Sequence, residues 1–149
     1  MHFVGEDEVK ASRESLWRFL NTPEQVSKCI PDVQTLEVID KNNFNAVIKV
    51  GIGFVKTKFN FKFTLANIDA PKHEELKATG SGSGSIIDFS AVMDLVEIDK
   101  ARTKLKWSAD AQLLGPLAAM ASRFMQSAAT DITKKLFACV KRAVEETSN

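Results

Sequence analysis

Tyrosine is absent from this chain, and histidine occurs only twice, at His2 and His73. Neither belongs to a histidine, cysteine and carboxylate grouping at ligand spacing, and a zinc site needs three or four such ligands. No metal and no cofactor are therefore expected. No Ser/His/Asp or Cys/His set is present either, so the usual machinery of nucleophilic catalysis is missing. Cysteine also occurs twice, at Cys29 and Cys139, far apart and outside any C-x-x-C pair. That usage predicts free buried thiols in a reducing cytoplasm.

Long apolar runs are lacking too. None reaches the ~18 residues that would mark a membrane-spanning helix. Residues 1–10 carry Glu6, Asp7 and Glu8 where a signal peptide would need an apolar core. The expected location is cytoplasmic, peripheral at a membrane at most. Excess charge of one sign is missing as well: 20 Lys+Arg stand against 19 Asp+Glu, a formal net charge of +1. Phosphate backbones select clustered positive charge, so nucleic acid is not an expected partner.

What is present is an ordinary globular composition, 44% hydrophobic and 26% charged over 149 residues. It predicts a single domain spanning 1–149. Residues 2–10 alternate as a strand, with Phe3, Gly5 and Val9 on one side and Glu6 and Glu8 on the other. Ser12 is placed to cap a short helix with Leu16, Trp17, Phe19 and Leu20 on its apolar side. Thr22-Pro23-Glu24-Gln25 predicts a second helix opening on a capping box, ended by Ile30-Pro31.

From Val33 to Leu113 the hydrophobic period is two. Phe44, Ala46, Ile48, Val50 and Ile52 share one strand face, and Phe59, Phe61, Phe63 and Leu65 share another. Lysines, asparagine and threonine lie opposite, as in an antiparallel sheet with one wet side. Leu76 and Ala78 are expected to point inward on the strand after Asp69-Ala70-Pro71-Lys72. For the last two strands, residue numbers summing to 200 put Leu95 opposite Leu105, Met93 opposite Trp107 and Ala91 opposite Ala109, while Asp94 meets Lys106. One face is then wholly apolar and the other mixed, which selects that register. A three-residue loop, Asp99-Lys100-Ala101, joins them.

The Gly80-Ser81-Gly82-Ser83-Gly84 tract invites a phosphate-cradle reading. A strand follows it rather than a helix N-terminus, and there is no Gly-Lys-Ser/Thr ending. Alternate glycines on an inward face instead mark a bend or open space, with Phe61 opposite Gly80. Finally, residues 115–146 open on Gly-Pro, proline being favoured at a first helical position. No further glycine or proline follows, and apolar residues recur at helical spacing through Leu117, Met120, Phe124, Met125, Ile132, Leu136 and Val140. At 1.5 Å per residue, ~30 residues make a helix ~45 Å long, enough to cross the sheet.

Strand, two short helices, a run of strands and a long last helix is the order of the helix-grip superfamily of START domains, polyketide cyclases and the birch-pollen allergen. Within it the chain resembles the G-subunit family of carbon monoxide dehydrogenase over its full length. The resemblance is carried by Phe3-x-Gly5-x-x-x-x-Val9, Leu16-Trp17-x-x-Leu20, Thr22-Pro23-Glu24, Cys29-Ile30-Pro31-Asp32-Val33, Val50-Gly51-Ile52-Gly53, the Gly80–Gly84 tract and Leu113-Leu114-Gly115. It implies an α+β fold in which a curved antiparallel sheet of about seven strands grips the last helix on its concave face. It also implies a non-enzymatic accessory protein of molybdenum-containing hydroxylases that holds a quinone- or lipid-like molecule. Many members carry a C-terminal extension linked to membrane contact; this sequence stops at Asn149, so contact is expected to be peripheral at most.

The expected ligand-binding surface is aromatic and sulfur-rich. It comprises Phe61, Phe63, Phe89, Met93 and Trp107 on strands, and Leu117, Met120, Ala121, Phe124, Met125 and Ala128 on the helix. Methionines suit such a surface because they adapt to varied shapes. The N-terminal half of the helix is expected to border the ligand, and residues 132–144 to pack conventionally. The alternative is a cyclase- or dehydratase-type enzyme using an inward acid such as Asp7, or Asp88 if the strand parity shifts by one.

Overall fold

The computed structural model describes residues 1–52 and 55–147, with the side chains of 52, 55, 120–124 and 147 outside that description. Strand β1 (His2–Val9) leads into helix α1 (Arg13–Leu20), then helix α2 (Pro23–Val26) and a 3₁₀ turn, Ser27–Cys29. Six strands follow: β2 (Val33–Asp40), β3 (Asn43–Ile52), β4 (Val55–Asp69), β5 (His73–Gly82), β6 (Ser85–Asp99) and β7 (Arg102–Leu114). Helix α3 (Ala118–Thr147) closes the chain. All seven strands form one curved antiparallel sheet in the order β1-β7-β6-β5-β4-β3-β2. The first strand thus pairs with the last, and the rest is a meander of hairpins.

The alternation sets the register. In β6 and β7 Leu95 faces Leu105, Met93 faces Trp107 and Ala91 faces Ala109, with Asp94 opposite Lys106. The hairpin is tighter than its sequence implies. Asp99 pairs with Arg102 after a register shift, and the Asp99 carboxylate accepts the Ala101 backbone N–H at 2.8 Å. Phe61 lies opposite Gly80, and a Cβ on Gly80 would come within 2.5 Å of the Phe61 ring. The missing side chain is therefore filled by the ring and is not empty space.

Two helix starts differ from expectation. Ser12 caps α1, accepting the Ser15 N–H at 3.1 Å. Thr22 sits at the α2 N-cap, but its side chain makes no cap bond. Its hydroxyl donates to the Arg18 carbonyl at 2.7 Å, so the capping box does not form. Helix α3 begins at Ala118, beyond Pro116. Gly115 adopts φ 100°, and a Cβ there would lie 2.9 Å from the Gly84 carbonyl oxygen. The Leu117 N–H donates to Ser85 Oγ at 3.1 Å. The chain is thus pinned to the β5–β6 turn before the helix can start.

The cysteines are not free. Cys29 and Cys139 form a disulfide that bridges 110 positions and joins the 3₁₀ turn to α3. Sequence separation hid the pairing; the fold brings the two Cα atoms to 5.3 Å, within the usual span of a disulfide.

Buried apolar side chains form two clusters. The first, on β3, β4, β5 and the end of β7, contains Ala46, Ile48, Phe59, Phe61, Phe63, Ala78 and Leu113, with Leu117 and Met125 packed against it. The second joins Val9, Leu16, Leu95 and Leu105 to Val140 and Val144, with Trp17, Met93, Leu136 and Phe137 against it. The N-terminal half of α3 serves one cluster and the C-terminal half the other. Ile132, between them, is 38% exposed and does not continue the expected apolar stripe.

Candidate functional site

The concave face between these clusters is the candidate site. Its floor is made by the inward positions of β5, β6 and β7. Ala91 and Ala109 face each other across the central pair, Ala109 buried at 5% exposure and Ala91 half-buried. Phe89, Ala91 and Met93 on β6, and Trp107 on β7, are only half-buried. Central-strand residues beneath a covering helix have no access to water when a core is filled. From α3, Met125 and Ala128 are likewise half-buried. An apolar surface reachable by solvent thus separates two closed cores.

The expected ligand-binding residues divide across this geometry. Phe61 and Phe63 are buried in the first core, at 9% exposure each. They form part of an aromatic row in which Phe63 stacks on Phe44 at 4.8 Å and on Phe61 at 5.6 Å. Phe89, Leu117 and Met125 pack against that core from the open side. Met93 packs against the second core. Trp107 stacks on Phe137 at 5.6 Å and covers Gly5, where a Cβ would come within 2.7 Å of the indole. Met120, Ala121 and Phe124 have side chains outside the described residues.

The acids rearrange the enzymatic alternative. Asp7 takes the inward parity, opposite Leu105, but lies at the rim, where Lys141 Nζ approaches its carboxylate at 3.4 Å. Asp88 is exposed and accepts a hydrogen bond from Thr79 at 3.4 Å. The buried acid is Glu74, at 0% exposure. It pairs with Met93 across β5 and β6, and its Oε1 accepts from Asn21 Nδ2 at 3.2 Å. Its Oε2 has no partner. Burial pushes the carboxyl up to about 7, against weaker lowering by the Asn21 hydrogen bond and the charge of His73.

Glu74 does not stand out in the sequence, because a carboxylate beside a second one, Glu75, is by default a surface charge. The signal was available, since Glu74 shares parity with Leu76, Ala78 and Gly80. Its neighbour His73 points outward, held by Asp94 at 2.7 Å, a bond that raises the imidazole above its ordinary range.

Among the described residues no grouping of histidine, cysteine and acid could hold a metal, and no helix is long and apolar enough to cross a membrane. The depressions described on the surface lie elsewhere. One runs along Lys141, Arg142 and Glu145 of α3. Another, of roughly 470 Å³, lies on the outer sheet face among Thr35, Asn45, Asn60 and Lys62.

Residues 5–145 match the family model of CoxG, the G-subunit of carbon monoxide dehydrogenase. The chain belongs to the CoxG family. Among solved structures, a conserved protein from Geobacillus kaustophilus superposes with a TM-score of 0.90 at 26% identity, covering 100% of this chain and 98% of its own. A START superfamily protein from Mycobacterium smegmatis aligns with a TM-score of 0.72 at 13% identity, covering 98% of each chain. The Zhui aromatase/cyclase of a Streptomyces strain aligns at 0.65 and 12% identity, covering 96% of this chain and 95% of its own. At such identities the last two establish the helix-grip fold alone. Among curated proteins no sequence matches. The CoxG-family chain thus presents a helix-grip architecture whose two cores flank a half-buried apolar floor.

Proposed function

We propose that this CoxG-family protein is a non-enzymatic carrier or accessory protein. It holds an apolar small molecule, quinone- or lipid-like, between the curved sheet and α3, and serves a client oxidoreductase of the molybdenum-hydroxylase type. The observation that carries the proposal is the half-buried floor of Phe89, Ala91, Met93 and Trp107 between two closed cores. Transfer of apolar ligand surface onto that floor contributes ~25 cal/mol per Å², and a site with few polar groups fits a mostly apolar ligand. The client and the quinone or lipid identity rest on family membership.

Purified protein extracted with organic solvent and examined by mass spectrometry is expected to release a stoichiometric apolar molecule. A clean extract, together with no uptake of pyrene by the stripped protein, would overturn the proposal.

A second reading, an enzyme of the cyclase or dehydratase type, draws support from Glu74 as a buried acid, in place of Asp7. General acid–base turnover ordinarily needs a partner group within reach. Among the described residues Asn21 is the only side chain hydrogen bonded to Glu74, which favours the carrier.

A further inference from the structure

Glu74 is the polar group that a pure hydrocarbon site would not contain. It is completely removed from solvent, yet one carboxyl oxygen has no hydrogen-bond partner. Such an orphan is costly to maintain unless something completes it. Its position is specific. Met93, directly across on β6, packs against the second core, and Leu76, next inward on β5, packs against the first. Glu74 therefore stands at the seam between the two cores, across the ladder from the half-buried Met93. Asn21, at the C-cap of α1, also donates to the Trp17 carbonyl at 3.0 Å. It fixes Oε1 and leaves Oε2 as the free end.

We propose that Glu74 is the polar anchor of the ligand site, its Oε2–H donating a hydrogen bond to a carbonyl oxygen of an otherwise apolar ligand, such as a quinone or ketone. The proposal rests on the carrier reading and specifies the chemistry of its ligand. A carboxyl held neutral by burial can donate, whereas a carboxylate would repel a carbonyl oxygen. The raised protonation of Glu74 agrees with this. The charged group acting on it is His73, whose ring lies on the outer face between Asp94 and Glu75. No cation is hydrogen bonded to Glu74 among the described residues, so none neutralises it.

The test compares menadione, a quinone, with methylnaphthalene, its hydrocarbon counterpart. The Cys29–Cys139 disulfide leaves no free thiol for menadione to alkylate. Tryptophan fluorescence quenching by the ligand, with circular dichroism to confirm folding, measures both affinities. Glu74→Leu is expected to weaken menadione about tenfold, the loss of one buried hydrogen bond, and to leave methylnaphthalene unchanged. Glu74→Gln retains a donor and is expected to bind both probes nearly as the parent does. In the parent, menadione affinity is expected to fall as pH rises through about 7, and in Glu74→Gln to stay flat.

Equal menadione affinity in parent and Glu74→Leu, or equal loss of both probes, would overturn the anchor and leave the carrier standing. If the parent binds neither probe, the carrier reading falls with it. If Glu74→Leu does not fold, the pH profiles of parent and Glu74→Gln decide: a fall in both, or in neither, overturns the anchor.

Discussion

A carboxyl removed from water and given one hydrogen bond is costly to ionise, and Glu74 occupies that position. Its folded value of about 7 stands above the ordinary 4.5. The stability from keeping it neutral is fully present below about pH 4.5 and lost as pH rises through about 7, on the order of 3 kcal/mol in total. Glu74→Gln removes this dependence. Its melting temperature relative to the parent is expected to rise between about pH 5 and pH 8, and a constant difference would show that the group ionises freely. Gly80 gives a second test at this scale. A methyl there must displace the Phe61 ring, which is locked in the aromatic row. Gly80→Ala is expected to cost about 1–3 kcal/mol in denaturant unfolding, and a neutral substitution would mean the row is loose. Glu74 also marks what one sequence conveys at this scale. Parity placed it inward with Leu76 and Ala78, but charge argued the reverse, and only the covering by α1 and Asn21 resolves the conflict.

Helix α3 behaves as two half-helices. Leu117 and Met125 meet one core, Leu136, Val140 and Val144 the other, and Ile132 is left exposed between them. Met125→Trp enlarges a side chain bordering the open floor. It is expected to abolish pyrene binding while changing the melting temperature little, because the ring enters space that is already available. In a filled core the same change costs about 1–3 kcal/mol, so a large fall in melting temperature would argue that no space exists. The strands were the most legible elements. The β6–β7 register followed from requiring one apolar face, since a one-residue slip would turn Leu95, Met93 and Ala91 outward. Helix starts were less legible, because local rules compete. Pro116 favours a first helical position, but the positive φ at Gly115 and the Leu117–Ser85 bond delay α3 to Ala118.

At the scale of the molecule, one covalent tie links the helical cap to the gripping helix. Cys29 and Cys139 lie on separate elements, and 110 intervening positions carry no sequence cue to their meeting. Closing so long a loop restricts the unfolded chain, and removing such a bond typically costs about 2–4 kcal/mol. Reduction is expected to lower the melting temperature accordingly. Alkylation of the denatured protein should label both cysteines only after reduction, and labelling without reductant would show that the bond does not form. The disulfide, the two cores and the pinned start of α3 together fix the helix against the sheet at both ends. The measurement that bears most directly on this is methyl NMR of the full chain titrated with methylnaphthalene. A ligand held between the cores predicts shifts at Ala91, Ala109, Met93 and Ala128, and none at the exposed Ile39, Ile68 and Ile98. Shifts confined to those outer isoleucines, or none at saturating probe, would contradict it.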